Sequence, residues 1–92
     1  MIEFIRQNLP SALEVGRALQ KSTVCFENSE MLGRWQLGCD IHYHPCVLFV
    51  LNGAWFADFE DSEGEHQTAD LGVTLETIIE NLANLADCND WS

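Results

Sequence analysis

The stretch "VLFVLNGAWFADFE", Val47 to Glu60, limits the fold more than any other part of the chain. Two apolar runs flank Asn52-Gly53, a dipeptide that accepts the left-handed backbone of a type I′ turn and so closes a tight hairpin. A two-residue loop sets the register. Leu51 pairs with Ala54, Val50 with Trp55, Phe49 with Phe56, Leu48 with Ala57, Val47 with Asp58 and Cys46 with Phe59. A chain built around such a hairpin is committed to an antiparallel sheet.

Other segments extend that sheet. "STVCFEN" reads as a short strand, with Val24 and Phe26 on one face and Thr23, Cys25 and Glu27 on the other. "SEMLG" reads as a turn or loop, and "RWQLG" as a second strand with Trp35 and Leu37 on one face. "DSEGE" turns the chain after the hairpin, and "EHQTADL" is either a short edge strand or a loop. Helices bracket the strands. Ile2, Ile5, Leu9, Leu13 and Leu19 recur at helical spacing over residues 2–21, and Pro10 interrupts them. Ser11 with Glu14 forms a capping box, so the spacing predicts a kinked helix or two short ones ending near Lys21. Thr74 caps a second helix, in which Leu75, Ile78, Ile79, Leu82, Leu85 and Ala86 form a stripe of period 3.6 that ends near Cys88. The expectation is one α+β domain over residues 1–92. It has an antiparallel meander of three to five strands, with the N-terminal and C-terminal helices packed on it.

The hairpin is apolar on both faces near its turn. One face carries Val47, Phe49 and Leu51, and the other Leu48, Val50, Trp55, Ala57 and Phe59. Either the two helices divide between the faces, or one face meets another chain, with Trp55 and Phe59 as anchors.

"CDIHYHPC", Cys39 to Cys46, raises the question of a metal. Cys39, His42, His44 and Cys46 are residue types that bind zinc. Their spacing lacks the two separated pairs of common structural zinc sites. Alternate residues on a strand lie about 6.6 Å apart, which puts Cys46 out of reach of a metal shared by His42 and His44. A strand running from Ile41 to Leu51 accounts for more residues. It places Ile41, Tyr43, Val47, Phe49 and Leu51 on one face, and His42, His44, Cys46, Leu48 and Val50 on the other. His44 then falls near Asp61. No metal or other cofactor is expected. Without C-x-x-C pairs or an export signal in "MIEFIRQNLP", the four cysteines read as free thiols in a reducing cytoplasm.

Charge excludes several functions. Fifteen acidic residues face four basic ones, a formal net charge of −11. All four bases, Arg6, Arg17, Lys21 and Arg34, precede Trp35, and the rest of the chain holds 11 acids and no Lys or Arg. Such a chain repels phosphate, which argues against direct binding to nucleic acid or anionic membranes. A basic protein is its natural partner. Asp58, Glu60, Asp61, Glu63 and Glu65 crowd into "DFEDSEGE", and Glu76, Glu80 and Asp87 line one side of the last helix without local cations. No phosphate loop, nucleophile elbow or H-E-x-x-H is present, so no enzyme is expected.

In size, acidity and compactness the chain resembles phage inhibitors that mimic nucleic acid, such as anti-restriction and anti-CRISPR proteins, and immunity proteins that neutralise basic nucleases. The resemblance implies a non-catalytic inhibitor of a basic protein, a nucleic-acid-handling complex or a nuclease. From charge and the apolar hairpin face, not from the resemblance, the acidic block is expected to make first contact, with Glu76, Glu80 and Asp87 secondary and Trp55 or Phe59 as anchor. The alternatives are an adaptor or homodimer using the apolar hairpin face and, after it, a small zinc-binding domain held by Cys39, His42, His44 and Cys46.

Overall fold

The computed structural model describes residues 9–22 and 26–91, with the side chains of 26–29 excepted. The order is α1 (Ala12–Gln20), β1 (Phe26–Gly33), β2 (Gln36–Ile41), β3 (His44–Leu51), β4 (Ala54–Glu60), β5 (His66–Gly72) and α2 (Leu75–Cys88). The five strands form one antiparallel sheet in the order β1-β2-β3-β4-β5, each strand beside its sequence neighbours. This is the expected α+β meander.

Both helices start where the sequence places them. The Ser11 Oγ accepts the Glu14 N–H at the start of α1, and the Thr74 Oγ1 accepts the Thr77 N–H at the start of α2. Each cap satisfies one of the amides that a first helical turn leaves without a partner. The helix expected before Pro10 and the strand residues Thr23, Val24 and Cys25 lie outside the described residues.

The β3–β4 register is the one set by Asn52-Gly53, from Leu51↔Ala54 to Cys46↔Phe59. Asn52 and Gly53 both have positive φ, at 52° and 79°. Two other expectations are overturned. "SEMLG" is not a loop, because Glu30 to Gly33 pair with Gly38 to Gln36 as part of β1. Nor does one strand run from Ile41 to Leu51. The chain reverses at His42-Tyr43, and Ile41 pairs with His44 across that turn. His42 and Tyr43 take φ of 51° and 72°, the left-handed region that costs ordinary residues about 1–2 kcal/mol each. Ile41 therefore shares a face with Cys39 and Leu37, not with Val47 and Phe49.

The helices do not divide between the faces of the sheet. Leu37, Cys39 and Ile41 of β2, Cys46 and Leu48 of β3, Trp55, Ala57 and Phe59 of β4 and Leu71 of β5 all face one way. They form a single core with Ala12, Val15 and Leu19 of α1 and Ile78, Leu82 and Ala86 of α2. Trp55 lies at its centre, fully buried, and its indole N–H donates to the Pro10 carbonyl at 2.8 Å. That bond holds Pro10, the residue before the α1 cap, against the middle of the sheet. At the other end of the chain, Trp91 packs edge-on against Phe59 and stacks on His44. Where β5 ends, a bulge inserts Leu71 between the pairs Phe56↔Asp70 and Trp55↔Gly72. Gly72 has φ +102° there, and a Cβ would come within 2.6 Å of the Thr77 side chain. Only glycine lets α2 start this close to the sheet.

Trp55→Phe removes the indole N–H and strands the Pro10 carbonyl in the core, so it should cost about 1–3 kcal/mol in urea unfolding. His42→Asn with Tyr43→Gly relieves the strained turn and should raise stability by about 1–2 kcal/mol in the same measurement.

Candidate functional site

With both helices on one side, no element among the described residues covers the opposite face of the sheet. Alternation along each strand places Glu30 and Leu32 of β1, Gln36, Gly38 and Asp40 of β2, and Val47, Phe49 and Leu51 of β3 on this face. Ala54, Phe56, Asp58 and Glu60 of β4 and His66, Thr68 and Asp70 of β5 complete it. The register confirms the rows, with Phe49 opposite Phe56, Val47 opposite Asp58 and Phe56 opposite Asp70. Phe49 and Phe56 stack with centroids 5.9 Å apart, each half-buried by its neighbours rather than by a covering element. Val47 is 40% exposed and Leu51 51%. On β1, the Leu32 and Glu30 side chains lie over Gly38, the nearest atoms to where a Cβ on that glycine would stand. The face thus has an apolar middle bordered by Glu30, Asp40, Asp58, Glu60 and Asp70, and strands β2–β5 carry no Lys or Arg.

Two of the expected anchors are not on it. Trp55 and Phe59 belong to the helix-covered core and cannot reach a partner. The sequence signal that separates the faces is the strand that carries them. Trp55, Ala57 and Phe59 form an uninterrupted apolar set, whereas Phe56 alternates into Asp58 and Glu60. The acids mark the solvent side, so the aromatic pair to choose is Phe49 and Phe56.

The acidic residues fall into three places. Asp58 and Glu60 stand on the open face. Asp58 accepts a hydrogen bond from the Thr68 hydroxyl at 3.2 Å and pairs with the His66 imidazole. Asp61 organises the β4–β5 loop. Its carboxylate accepts the Glu63 and Glu65 amides, each at 2.9 Å, and the Gln67 side-chain amide at 3.0 Å. These bonds, led by the one from Glu65, hold the Asp61 carboxyl below the usual carboxylate range. With Asp61 so engaged, Glu63 and Glu65 project from the loop into solvent. Glu76, Glu80 and Asp87 are exposed on α2, which lies behind the opposite face of the sheet. The Ser62 amide donates to the Asn89 side-chain oxygen at 3.3 Å, bringing the acidic loop beside the C-terminal end of α2 and Asp87. The eight acids expected to act together therefore do not share one surface. Asp58 and Glu60 join the apolar face, the loop and Asp87 make an acidic end, and Glu76 and Glu80 stand apart.

A groove of about 470 Å³ runs from the open face to that end, lined among others by His44, Val47, Asp58, Glu60 and His66. Carboxylates over an apolar floor suit a long cationic side chain, whose stem packs while its head stays charged.

The candidate metal ligands are dispersed, one pair and two separate residues. Cys39 and Cys46 face each other across β2–β3, His42 sits in the turn, and His44 lies against Trp91. Among the described residues no three His, Cys, Asp or Glu side chains form a group that could hold a metal ion. Also among the described residues, no helix is long and apolar enough to cross a membrane. Comparison with protein-family models, curated proteins and solved structures finds no match.

Since the folded Asp61 carboxyl ionises below its unfolded value, its hold on the loop is complete above the unfolded pKa and is lost as pH falls through the folded one. Hydrogen exchange at the Glu63 and Glu65 amides should accelerate, relative to intrinsic rates, across that acid window. Asp61→Asn should remove the pH dependence.

Proposed function

We propose that this protein is a non-catalytic binding protein that docks the open face of its sheet onto a basic surface of another protein, one that otherwise holds nucleic acid, and inhibits it by occupying that surface. One observation carries the reading: an apolar strip of Val47, Phe49, Leu51 and Phe56 bordered by carboxylates, with no Lys or Arg on the strands β2–β5 that form most of it. An apolar centre with a charged rim is how protein interfaces divide their work. The centre supplies affinity, and the rim steers and selects. The chemistry that matches it is an apolar patch flanked by Lys and Arg, as on proteins that grip a phosphate backbone. The same surface serves an anti-restriction or anti-CRISPR inhibitor and an immunity protein, since each meets a basic nucleic-acid site.

The charge also weighs against self-pairing. Two copies meeting through this face would bring two acidic rims together on chains of formal charge −11. A basic partner relieves the same repulsion.

The test is capture from a bacterial lysate with three immobilised proteins: the wild type, Val47→Lys with Glu60→Lys, and Glu76→Lys with Glu80→Lys. All four changed positions are exposed. The expected result is a basic nucleic-acid-handling protein on the wild type, released by high salt and displaced by added DNA or RNA. The open-face variant should weaken that binding at least about tenfold, or 1.4 kcal/mol, and the α2 variant should leave it unchanged. The reading is overturned by loss of binding only in the α2 variant, by a partner that survives both high salt and the open-face substitutions, or by a homodimer as the sole species.

A further inference from the structure

Cys39 and Cys46 occupy directly opposed positions on β2 and β3. Each is 3% exposed, and both point toward the helices. Ile41 and His44 flank the two-residue turn and are a hydrogen-bonded pair. Hydrogen-bonded and non-hydrogen-bonded pairs then alternate up the ladder, so Cys39 and Cys46 are again a hydrogen-bonded pair. The Val50 amide bonded to the Trp35 carbonyl at 3.1 Å fixes the same phase further along. Opposed residues of this kind have Cα atoms about 5.5 Å apart, within the range that a disulfide spans. A hydrogen bond with Cys39, followed by burial, pushes the Cys46 thiol well above its ordinary range.

We propose that Cys39 and Cys46 are an oxidisable dithiol that closes to a cross-strand disulfide, stapling β2 to β3 directly beneath the open face. The oxidant is a low-molecular-weight disulfide such as oxidised glutathione. The Cys39 thiolate attacks one of its sulfurs, forms a mixed disulfide and expels one glutathione thiolate. Opening of the hairpin end releases Cys46 from burial and from its hydrogen bond with Cys39, and its thiolate then attacks the Cys39 sulfur and expels the second. Two protein thiols are oxidised to one disulfide, one glutathione disulfide is reduced to two thiols, and the two protons pass to the departing thiolates.

Access comes from the hairpin end. The turn at His42-Tyr43 is two residues from each cysteine and holds both its residues at positive φ. Such strained ends open locally at low cost, and opening here uncovers both sulfurs. Closing the bond in the folded sheet draws the two β carbons together from about 5 Å, so the product stays accessible to thiol reductants. Val47 follows Cys46 and faces the opposite way. The staple therefore tethers the strand that carries Val47 and Phe49, and couples the stiffness of the open face to thiol redox state. The inference stands on the register and does not depend on what the open face binds.

The experiment uses the full chain with Cys25→Ser and Cys88→Ser, so that Cys39 and Cys46 alone remain. The protein is equilibrated without denaturant in mixtures of reduced and oxidised glutathione, acid-quenched, alkylated and weighed intact. The expected product is a monomer lighter by two hydrogens, with complete loss of both alkylation sites, reversed by dithiothreitol. Amide exchange across residues 39–46 should slow in the oxidised form. If that background does not fold, peptide mapping of the oxidised wild type should recover a Cys39–Cys46 linked pair. Thiols that stay fully alkylated, or glutathione adducts that persist without the internal disulfide, would overturn the proposal.

Discussion

Covering one face of the sheet consumes both helices, and the rest of the molecule follows from that. Five strands about 4.8 Å apart span roughly 19 Å between the outer pair. Two helices, each about 10 Å across with side chains, cover that width and no more. The core closes on one side because Trp55 sits at its centre and its indole is bonded to the chain just before α1. Gly72 then lets α2 begin against the end of β5. Among the described residues no third layer remains, so the far face has no covering element there.

The open face draws its interest from that constraint. A sheet with one solvated side ordinarily alternates apolar and polar residues. Here β3 carries Val47, Phe49 and Leu51 outward, and β4 adds Ala54 and Phe56. The stacked phenylalanines shield each other only partly. Around them stand carboxylates, and β2–β5 carry no Lys or Arg. Asp61 spends its hydrogen bonds on loop geometry, whereas Asp58 and Glu60 stand at the apolar edge. A net charge spread at random would serve solubility alone. A charge that borders an apolar strip also gives direction to association.

The two tight turns show how legibility depends on chemistry at single positions. Asn52-Gly53 announces itself, because both residues tolerate positive φ and the pattern on either side is apolar. The register of six residue pairs could be written down from it. His42-Tyr43 makes the same turn with residues that disfavour that backbone, so "CDIHYHPC" reads as a continuous strand. A continuous strand would place Ile41 on the face of Val47 and Phe49 and would leave Cys39 and Cys46 unopposed. Once the turn is in place, the motif becomes a hairpin with its two cysteines face to face and its two histidines apart. The strain is carried by the ladder on both sides, which no local propensity reports.

The sequence by itself determined the α+β class, both helix caps, the β3–β4 hairpin and the separation of basic and acidic halves. Each is a matter of near neighbours: a cap and its amide, a turn and its flanks, a period of 2 or 3.6, a count of charges. The acids that alternate with Phe56 on β4 mark the solvent side in the sequence, but only the tertiary structure decided that both helices pack on the other side. That placement rests on the summed packing of Trp55, Ala57 and Phe59 against two helices distant in sequence. It also decided that the eight acids divide among a face, a loop and a helix, because strands and helix carry adjacent charges to opposite sides of the same sheet.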